Sequence, residues 1–394
     1  MSTPSRPVPP AILANQHAIV RGLLASLRPH WRRDRALPAR IEAALKADRR
    51  FGSRDRRLYR ELTYTALRYL PWIEALGEDE AVGLIAHLCD DTPATASFRA
   101  RYAQPPEAPL DDSALLPEWI ANECPAALEP PQRAALLRRA PVWIRLQTDD
   151  PAAVWAEFAQ TGLPAAAPGP WPDAFRFPPD TALTRTRAYE QGQIEIQDLG
   201  SQWILASAAP AAGEHWLDAC AGAGGKTLQL ARLLGPSGRV VAHDVRAAAL
   251  AELAERARRA GVTTVRIAAQ PEGTFDGVLV DAPCTGSGTW RRAPHLKWTT
   301  RLADVAAAAE KQLQLLRRFS ARVRPGGRLI YATCSLCRSE NDGVVSRFIA
   351  AEPDFVAEAL PRTFGVSPGP LGCTLLPATF DTDGFYVAAL RRRA

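Results

Sequence analysis

The second half of the chain alternates short apolar runs with amphipathic segments, and this alternation constrains the fold more than any other feature. Four apolar runs predict buried strands, at residues 216–220, 239–244, 262–268 and 277–281. Apolar residues at helical spacing predict helices at 226–234 and at 302–323, and a long helix that follows the second strand and ends at residue 259. A fifth strand is expected after the turn at 325–327. Strands that alternate with helices form a parallel, doubly wound α/β sheet. Late apolar runs at 374–376 and 385–390 predict an antiparallel edge for that sheet.

The residues before this pattern divide into two further regions. Apolar residues recur at helical spacing from 11 to 76, and weaker helical signals continue to 140. A strand at 141–146 and a helix at 151–160 then predict a small α+β module. Because 394 residues exceed one ordinary core, we predict three domains, at residues 1–140, 141–205 and 206–394.

Positive charge is concentrated at the amino terminus. Residues 1–60 carry 14 Arg and Lys against 4 Asp and Glu. Such a region is typical of proteins that bind a polyanion such as RNA, although solvated arginine-rich helix faces explain the charge equally well. Lysine occurs only four times, and Lys226 and Lys297 stand beside glycine or cysteine motifs. Their position indicates that both have specific roles.

Several classes of protein are disfavoured by the composition. No apolar run approaches the roughly 18 to 20 residues of a membrane span, so no membrane association is predicted. The polar, proline-rich start lacks the pattern of a signal peptide, so we expect a cytoplasmic protein. The seven cysteines include no two CxxC pairs, so neither a disulfide framework nor a metal site is predicted. We expect a monomer.

A glycine-rich loop follows the first strand of the predicted sheet. It ends in Gly-Lys-Thr, but Cys220 stands where a phosphate-binding P-loop needs glycine, and the dinucleotide spacing of glycines is also absent. Such a loop still brings backbone N–H groups close to a ligand. Asp244 ends the next strand, where an acidic residue accepts hydrogen bonds from ribose. We therefore predict an adenosine-type pocket formed by Asp218, Ala219, Cys220, Ala221, Gly222, Gly224, Gly225, Lys226, Asp244 and Asp281.

Two cysteines, Cys284 and Cys334, follow predicted strands, where open α/β sheets bind ligands. Free cysteine is usually a small buried hydrophobe, which we expect of Cys89, Cys124, Cys220, Cys337 and Cys373. Cys284 and Cys334 instead lie in turns near helix starts, a setting that lowers the pKa of a thiol. A thiolate that adds to carbon 6 of cytosine makes carbon 5 nucleophilic enough to take a methyl group from S-adenosylmethionine. A carboxylate such as Asp281 would stabilise the adduct, and the base must be unpaired or flipped out.

These motifs resemble those of a known family. The chain is similar to the bacterial RsmB/Sun branch of the RsmB/NOL1/NOP2/Sun family of RNA 5-methylcytosine methyltransferases. The resemblance covers most of the chain and is carried by residues 197–202, 218–227, 281–292, 297–298, 331–335, 340–341 and 383–386. The two cysteine motifs together are its most specific part.

The resemblance implies a Rossmann-like, S-adenosylmethionine-dependent methyltransferase domain, an amino-terminal NusB-like RNA-binding domain and a small RNA-binding module. It implies that Cys334 is the nucleophile and that Cys284 assists release of the product, with Asp281 and Lys226 as further catalytic residues. DNA cytosine methyltransferases use the Pro-Cys cysteine as nucleophile, which is the alternative assignment.

The resemblance also implies that the substrate is a cytosine in 16S ribosomal RNA, with transfer RNA as the alternative. A second class of function is the alternative: a NusB-like RNA-binding or assembly protein that does not catalyse methylation. The chain departs from the family pattern at one point. An aspartate that contacts adenine is expected after the third strand, where this chain has Ala268, Ala269 and Gln270.

Overall fold

The computed structural model describes residues 8–394 and divides the chain into two compact units. Residues up to 120 together with 293–301 form the first, the helical unit, and residues 121–292 with 302–394 form the second, the sheet unit. The predicted division into three domains stays a prediction. The first seven residues, part of the segment in which no signal peptide was recognised, lie outside the described residues. Within residues 8–394, no helix has the length and apolar character needed to cross a membrane.

The helical unit is built from short helices around one apolar core, as the spacing of its apolar residues predicts. Leu24, Leu62 and Ile85 are among the buried residues of this core. Prolines stand in the first turn of several helices, where their missing N–H group costs no hydrogen bond. The helices are Pro10–Leu27, Leu37–Ala47, Ser53–Arg68, Leu70–Ile73, Glu78–Leu88, Ala96–Tyr102 and His295–Thr299, with 3₁₀ turns at Arg28–His30 and Asp112–Leu115.

Lys297 is completely buried in the helical unit. Its Nζ donates hydrogen bonds to the carbonyl of Arg68 (2.8 Å) and to that of Leu115 (3.2 Å), and burial lowers the pKa of Lys297 well below its usual value. The neighbouring Trp298 donates its indole N–H to the carbonyl of Leu67 (2.6 Å). Arg68 ends helix Ser53–Arg68, whose last carbonyls have no partner within the helix. Lys297 therefore has a structural role as a helix cap.

The sheet unit begins with a small antiparallel sheet. Its strands are β1 (Val142–Leu146), β2 (Ala167–Pro168), β3 (Ala174–Phe177) and β4 (Ile194–Ile196), in the order β2-β3-β1-β4. Helix Pro151–Gln160 packs on it through Val154 and Phe158. Strand β1 and this helix were predicted from the sequence. Shorter helices in this part are Ile120–Glu123, Pro130–Leu137 and Arg187–Glu190, with 3₁₀ turns at Pro125–Leu128 and Leu183–Arg185.

A second, eight-stranded sheet forms the centre of the sheet unit. Its strands are β5 (His215–Asp218), β6 (Arg239–Ala242), β7 (Val265–Ile267), β8 (Phe275–Asp281), β9 (Val323–Thr333), β10 (Phe355–Glu358), β11 (Cys373–Leu375) and β12 (Phe385–Arg392). Strands β5 to β9 are parallel in the order β7-β6-β5-β8-β9, and β12 joins β9 antiparallel with β10 and β11 beside it. The predicted parallel sheet with an antiparallel edge is therefore confirmed.

Helices cover both faces of this sheet, and two apolar clusters fill the space between the layers. The helices are Leu199–Ala208, Gly225–Leu234, Ala247–Arg259, Leu302–Ser320, Asp342–Ala351 and Pro377–Phe380. Helix His295–Thr299 belongs to the helical unit. Parallel strands flanked by helices on both faces are the doubly wound arrangement.

Three predicted boundaries were wrong. The helix expected at 302–323 ends at Ser320, and β9 begins at Val323 and runs through the predicted turn at 325–327. Gly326 has φ of +72°, and the pairing of β8 with β9 shifts register here, so a bulge replaces the turn. Strand β7 is shorter than predicted because Val262 bonds back to Ala257 at the end of the preceding helix. Strand β10 was not predicted.

The order of the strands brings four loops to one edge of the sheet. Strand β5 lies between β6 and β8, with Asp218 paired to Ala242 and to Leu279. Strand β9 lies beside β8, with Asp281 paired to Ala332. The chain reverses its order between β5 and β8, and ligands bind outside the carboxyl ends of strands at such a point. The glycine loop, Asp244 and both cysteine turns leave the sheet there.

We predict that Lys297→Ala lowers the free energy of unfolding of the helical unit by about 3 kcal/mol. The substitution leaves two carbonyls without their donor and removes a buried side chain. Urea titration followed by circular dichroism measures the change. Lys46→Ala, at an exposed position of the same unit, should change stability by less than about 0.5 kcal/mol. Equal effects of the two substitutions would contradict the role of Lys297 as a cap.

Candidate active site

A cleft of about 680 Å³ opens at the carboxyl edge of the large sheet. It is lined by all the residues predicted for the site except Gly224, namely Asp218, Ala219, Cys220, Ala221, Gly222, Gly225, Lys226, Asp244, Asp281, Cys284 and Cys334. The strand order thus collects residues that span more than a hundred positions of the sequence into one cavity.

The glycine loop is held in shape by backbone geometry that favours glycine. Gly222 and Gly224 have φ of +54° and +90°. A Cβ atom on Gly224 would lie 2.7 Å from Cγ of Leu253, so this residue permits close packing rather than lining the cleft. Arg256 donates to the carbonyl of Ala223 at 2.8 Å and fixes the loop from outside.

Asp218 is buried at the end of β5. Its Oδ2 accepts a hydrogen bond from the hydroxyl of Thr227 at 2.7 Å, whereas its Oδ1 has no partner among the described residues. Burial raises the pKa of Asp218 to about 7, and the nearby Asp281 carboxylate acts in the same direction. The wall of the cleft therefore contains a carboxyl oxygen available to a ligand.

Asp244 has the opposite electrostatic setting. Its carboxylate accepts hydrogen bonds from the backbone N–H of Gly222 (2.8 Å) and from the guanidinium of Arg246 (3.0 Å). The hydrogen bonds from Arg246 are the largest cause that lowers the pKa of Asp244 to about 2. Because its pKa is low, Asp244 is ionised at neutral pH. The side chain of Arg246, its partner, is two-thirds exposed to solvent.

Lys226 and Asp281 form an ion pair inside the cleft. Lys226 Nζ lies 2.8 Å from Asp281 Oδ2 and 5.5 Å from the ring centre of Phe385. Lys226 begins the helix after the glycine loop, and Asp281 ends β8. The pair therefore links the pocket side of the cleft to the turn that carries Cys284.

The two cysteines predicted for catalysis lie together. Cys284 Sγ is 3.3 Å from Cys334 Sγ, although the residues are fifty positions apart. Hydrogen bonding to the Cys334 thiol, followed by burial, raises the pKa of Cys284 well above its usual value. The predicted lowering of this thiol pKa by a helix start was wrong, because the Cys334 thiol and burial raise it and only a 3₁₀ turn at Ser287–Thr289 follows Cys284. The ionisation of Cys284 therefore depends on the neighbouring Cys334 thiol.

The remaining cysteines differ in their surroundings. Cys89, Cys124, Cys337 and Cys373 are buried, as expected of small apolar residues. Cys220 is half-buried and lines the cleft in the glycine loop. No group of three or more His, Cys, Asp or Glu side chains in residues 8–394 is arranged to hold a metal ion.

Arg292 also lines the cleft, although it was not among the predicted site residues. Its guanidinium donates through Nε to the buried carboxylate of Asp383 at 2.8 Å and lies 3.8 Å from Asp198. Burial raises the pKa of Asp383 to about 7. The motifs around residues 197–202, 281–292 and 383–386 contain these three residues, but their pairing depends on distant segments. Val245, 83% exposed at the mouth of the cleft, had no signal in the sequence.

The position of the missing aspartate is now visible. Ala268, just beyond β7, is buried, and its carbonyl lies 3.1 Å from Nδ1 of His243. His243 is itself buried beside Asp244 and lines the cleft, and its Nε2 has no partner among the described residues. A polar side chain therefore occupies this corner of the cleft in the absence of the aspartate.

Comparison with known proteins gives consistent matches. The family described as 16S rRNA methyltransferase RsmB/F matches residues 205–391. A probable ribosomal RNA small subunit methyltransferase B of Bacillus subtilis is 36% identical over 228 residues, which cover 54% of this chain and 50% of that protein. The ribosomal RNA small subunit methyltransferase B of Salmonella arizonae is 32% identical over 300 residues, which cover 73% of this chain and 68% of that protein. The chain thus spans between half and about two thirds of the length of these curated relatives.

A solved structure supports the fold. The crystal structure of a methyltransferase homolog protein from Pyrococcus horikoshii superposes with a TM-score of 0.58 and 26% identity, and covers 66% of this chain and 90% of that one. This likeness and the strand order agree with the predicted Rossmann-like fold.

We predict that protonation of Asp218 contributes to the pH dependence of stability. The raised pKa means that the folded protein holds a proton which the unfolded chain releases above pH 3.8. This contribution is complete below pH 3.8 and is lost as the pH rises to about 7, with a slope of up to about 1.4 kcal/mol per pH unit. Asp218→Asn should therefore flatten the decline in unfolding free energy across this window.

Urea titrations at several pH values measure this difference between wild type and variant. Asp276→Asn is the matched control, because the pKa of Asp276 is lowered in the folded protein, so the substitution should not flatten the decline. An unchanged slope in Asp218→Asn would show that the Asp218 carboxyl is ionised throughout the window.

Proposed function

We propose, starting from the fact that the chain belongs to the 16S rRNA methyltransferase RsmB/F family, that this protein transfers a methyl group from S-adenosylmethionine to carbon 5 of a cytosine in RNA. The observation that carries the proposal is the pair of thiols, 3.3 Å apart, at a cleft built from the glycine loop and Asp244. The same cleft contains both thiols, Asp281, Asp244 and the glycine loop.

The residues of the pocket fit S-adenosylmethionine. Asp244 is ionised and lies at the end of β6, where a carboxylate accepts hydrogen bonds from ribose hydroxyls. The unpartnered Oδ1 of Asp218 offers an acceptor for an amino group, and the glycines allow a close backbone approach. When bound, the cofactor supplies an electrophilic methyl group.

The two cysteines receive different roles. In this proposal Cys334 Sγ forms a bond to carbon 6 of cytosine, and the electrons of the double bond make carbon 5 nucleophilic. After carbon 5 has taken the methyl group, a base removes its proton, the C–H electrons re-form the C5–C6 double bond, and the bond from carbon 6 to sulfur breaks with its electron pair going to Cys334 Sγ. The family resemblance supports Cys334 as the residue that adds and Cys284 as the residue that assists release, and the two thiols lie 3.3 Å apart.

Asp281 and Lys226 complete the proposed catalytic group. A carboxylate near ring nitrogen 3 stabilises the adduct when it shares a proton with the ring. Asp281 ends β8 three residues before Cys284, and its ion pair with Lys226 holds the carboxylate in place. Lys226 is therefore proposed to orient Asp281 towards the base.

RNA binding is proposed for the helical unit and for the small sheet of the sheet unit. The helical unit contains most of the basic amino-terminal segment, and Arg49, Arg54 and Arg57 are exposed around the start of helix Ser53–Arg68. Exposed arginines bind phosphate groups without reading the sequence. We propose a NusB-like fold for this unit and 16S ribosomal RNA as the substrate, which the family resemblance supports, with transfer RNA as the alternative substrate.

We predict that the two cysteine substitutions have different effects. Cys334→Ala should abolish methylation and form no covalent RNA–protein complex, because no thiol adds to the base. Cys284→Ala should accumulate a covalent complex, because the product is released slowly. Denaturing gel electrophoresis with labelled RNA measures both results, and Cys89→Ala, a buried cysteine of the helical unit, serves as control. A stable complex in Cys334→Ala would reverse the two roles.

We also predict the identity of the RNA. Bisulfite sequencing of ribosomal and transfer RNA from a deletion strain should show the loss of one 5-methylcytosine, expected in 16S ribosomal RNA. Loss of a site in transfer RNA would select the alternative substrate. If no 5-methylcytosine is lost and calorimetry detects no binding of S-adenosylmethionine, the protein is an RNA-binding protein without turnover.

A further inference from the structure

Glu340 is a completely buried carboxylate outside the catalytic set described above. Its Oε1 accepts hydrogen bonds from the backbone N–H of Thr285 (2.9 Å) and from the amide of Gln312 (2.9 Å). Its Oε2 accepts hydrogen bonds from the hydroxyls of Thr285 and Ser335, both at 2.5 Å. Glu340 forms no ion pair with any described residue. Four donors therefore compensate its burial.

The partners of Glu340 are the immediate neighbours of the two thiols. Thr285 follows Cys284, and Ser335 follows Cys334. The amide of Gln312 also donates to the carbonyl of Pro283, which precedes Cys284, at 3.0 Å. The Tyr331 hydroxyl lies 2.5 Å from the Glu340 carbonyl and 3.1 Å from Gln312 Oε1, so it contacts both residues. Both sides of Cys284 and one side of Cys334 are thus tied to the same carboxylate.

No other side chain in the described residues joins the two turns in this way through a charged group. The other links between the turns are between neutral groups. Ser287 Oγ accepts from the Leu336 N–H (2.8 Å) and lies 3.0 Å from Ser335 Oγ, and the Gly288 N–H donates to the Cys334 carbonyl (3.0 Å). Hydrogen bonds to a carboxylate are stronger than those between neutral groups. We propose that Glu340 is a positioning residue that sets the separation of the Cys284 and Cys334 thiols by tying the two cysteine turns together.

The charge of Glu340 adds a second effect. Its carboxylate is among the groups that raise the pKa of Cys284, after the Cys334 thiol and burial. A glutamine at this position would keep the tether, since its oxygen can accept from Thr285 N–H and Gln312 while both hydroxyls turn to accept from its amide. The tether and the charge can therefore be separated by substitution.

The first test does not depend on methylation. Mild oxidation with diamide should join Cys284 and Cys334 rapidly in the wild type, and mass spectrometry after alkylation measures the rate. Glu340→Ala should slow this reaction about tenfold because the thiols lose their fixed approach. Glu340→Gln should restore the wild-type rate to within about threefold. An unchanged rate in Glu340→Ala would overturn the proposal.

Glu123→Gln is the matched control. Glu123 is also buried and accepts hydrogen bonds from the Ser339 backbone N–H (2.9 Å) and hydroxyl (2.8 Å), next to Glu340 but without a bond to Thr285. It should leave the oxidation rate unchanged. If Glu123→Gln slows the reaction as much as Glu340→Ala, the effect is a general loosening of the 335–341 segment and the proposal fails. Thr285→Val, which removes one hydroxyl donor, should give an intermediate rate even if Glu340→Ala does not fold.

The second test rests on the proposed function. Glu340→Ala should lower kcat for methylation about 100-fold and leave the KM for S-adenosylmethionine unchanged, because the cofactor pocket does not contact Glu340. A raised KM with normal kcat would contradict a positioning role. If the wild-type protein methylates no RNA but Glu340→Ala still slows the oxidation, the tether is supported and the proposed function is refuted. The two failures are therefore distinguishable.

Discussion

The pairing of β8 with β9 is the constraint on which the rest of the site depends. The two strands are parallel and in register from Gly277 with Arg328 to Asp281 with Ala332. Both therefore end at the same edge, and the turns that follow carry Cys284 and Cys334 to within 3.3 Å of each other. Any slip of one residue in this pairing would turn alternate side chains to the opposite face and separate the thiols. The apolar residues of both strands, buried between two layers of helices, prevent such a slip.

The carboxylates around the cleft illustrate how environment divides chemically identical groups between tasks. Asp244 is held ionised by Arg246, and Asp281 is paired with Lys226. Asp218 is buried without a cation in contact and has a raised pKa, whereas Glu340 is buried but receives four hydrogen bonds. The roles proposed for these carboxyl groups, as acceptors for a nucleoside, as a partner for a ring nitrogen and as a tether, thus fall to one type of side-chain group. Burial and neighbours decide which role each one has.

The sequence allowed prediction of most of the sheet and most of the lining of the cleft, because strand periodicity and turn motifs are local. Strand β10 was missed since its Phe355–Glu358 run is half exposed at an edge and has no buried apolar pattern. The boundary at Val323 was misjudged because a bulge at Gly326 lets the strand continue through a turn-like segment. The pKa of Cys284 was misjudged because its main cause is a thiol fifty residues away. The pairs of Arg292 with Asp383 and of Glu340 with Thr285 depend on the same kind of long-range contact.

The central claim is that Cys334 adds to the base and that Cys284 assists release of the product. Incubation of the protein with S-adenosylmethionine and RNA containing 5-fluorocytidine tests it most directly, because fluorine cannot leave carbon 5 as the proton does and the covalent adduct persists. Peptide mapping by mass spectrometry then locates the nucleotide. We predict that it is attached to Cys334 and carries the transferred methyl group. Attachment to Cys284, or the absence of any adduct with an RNA that the protein binds, would contradict this account.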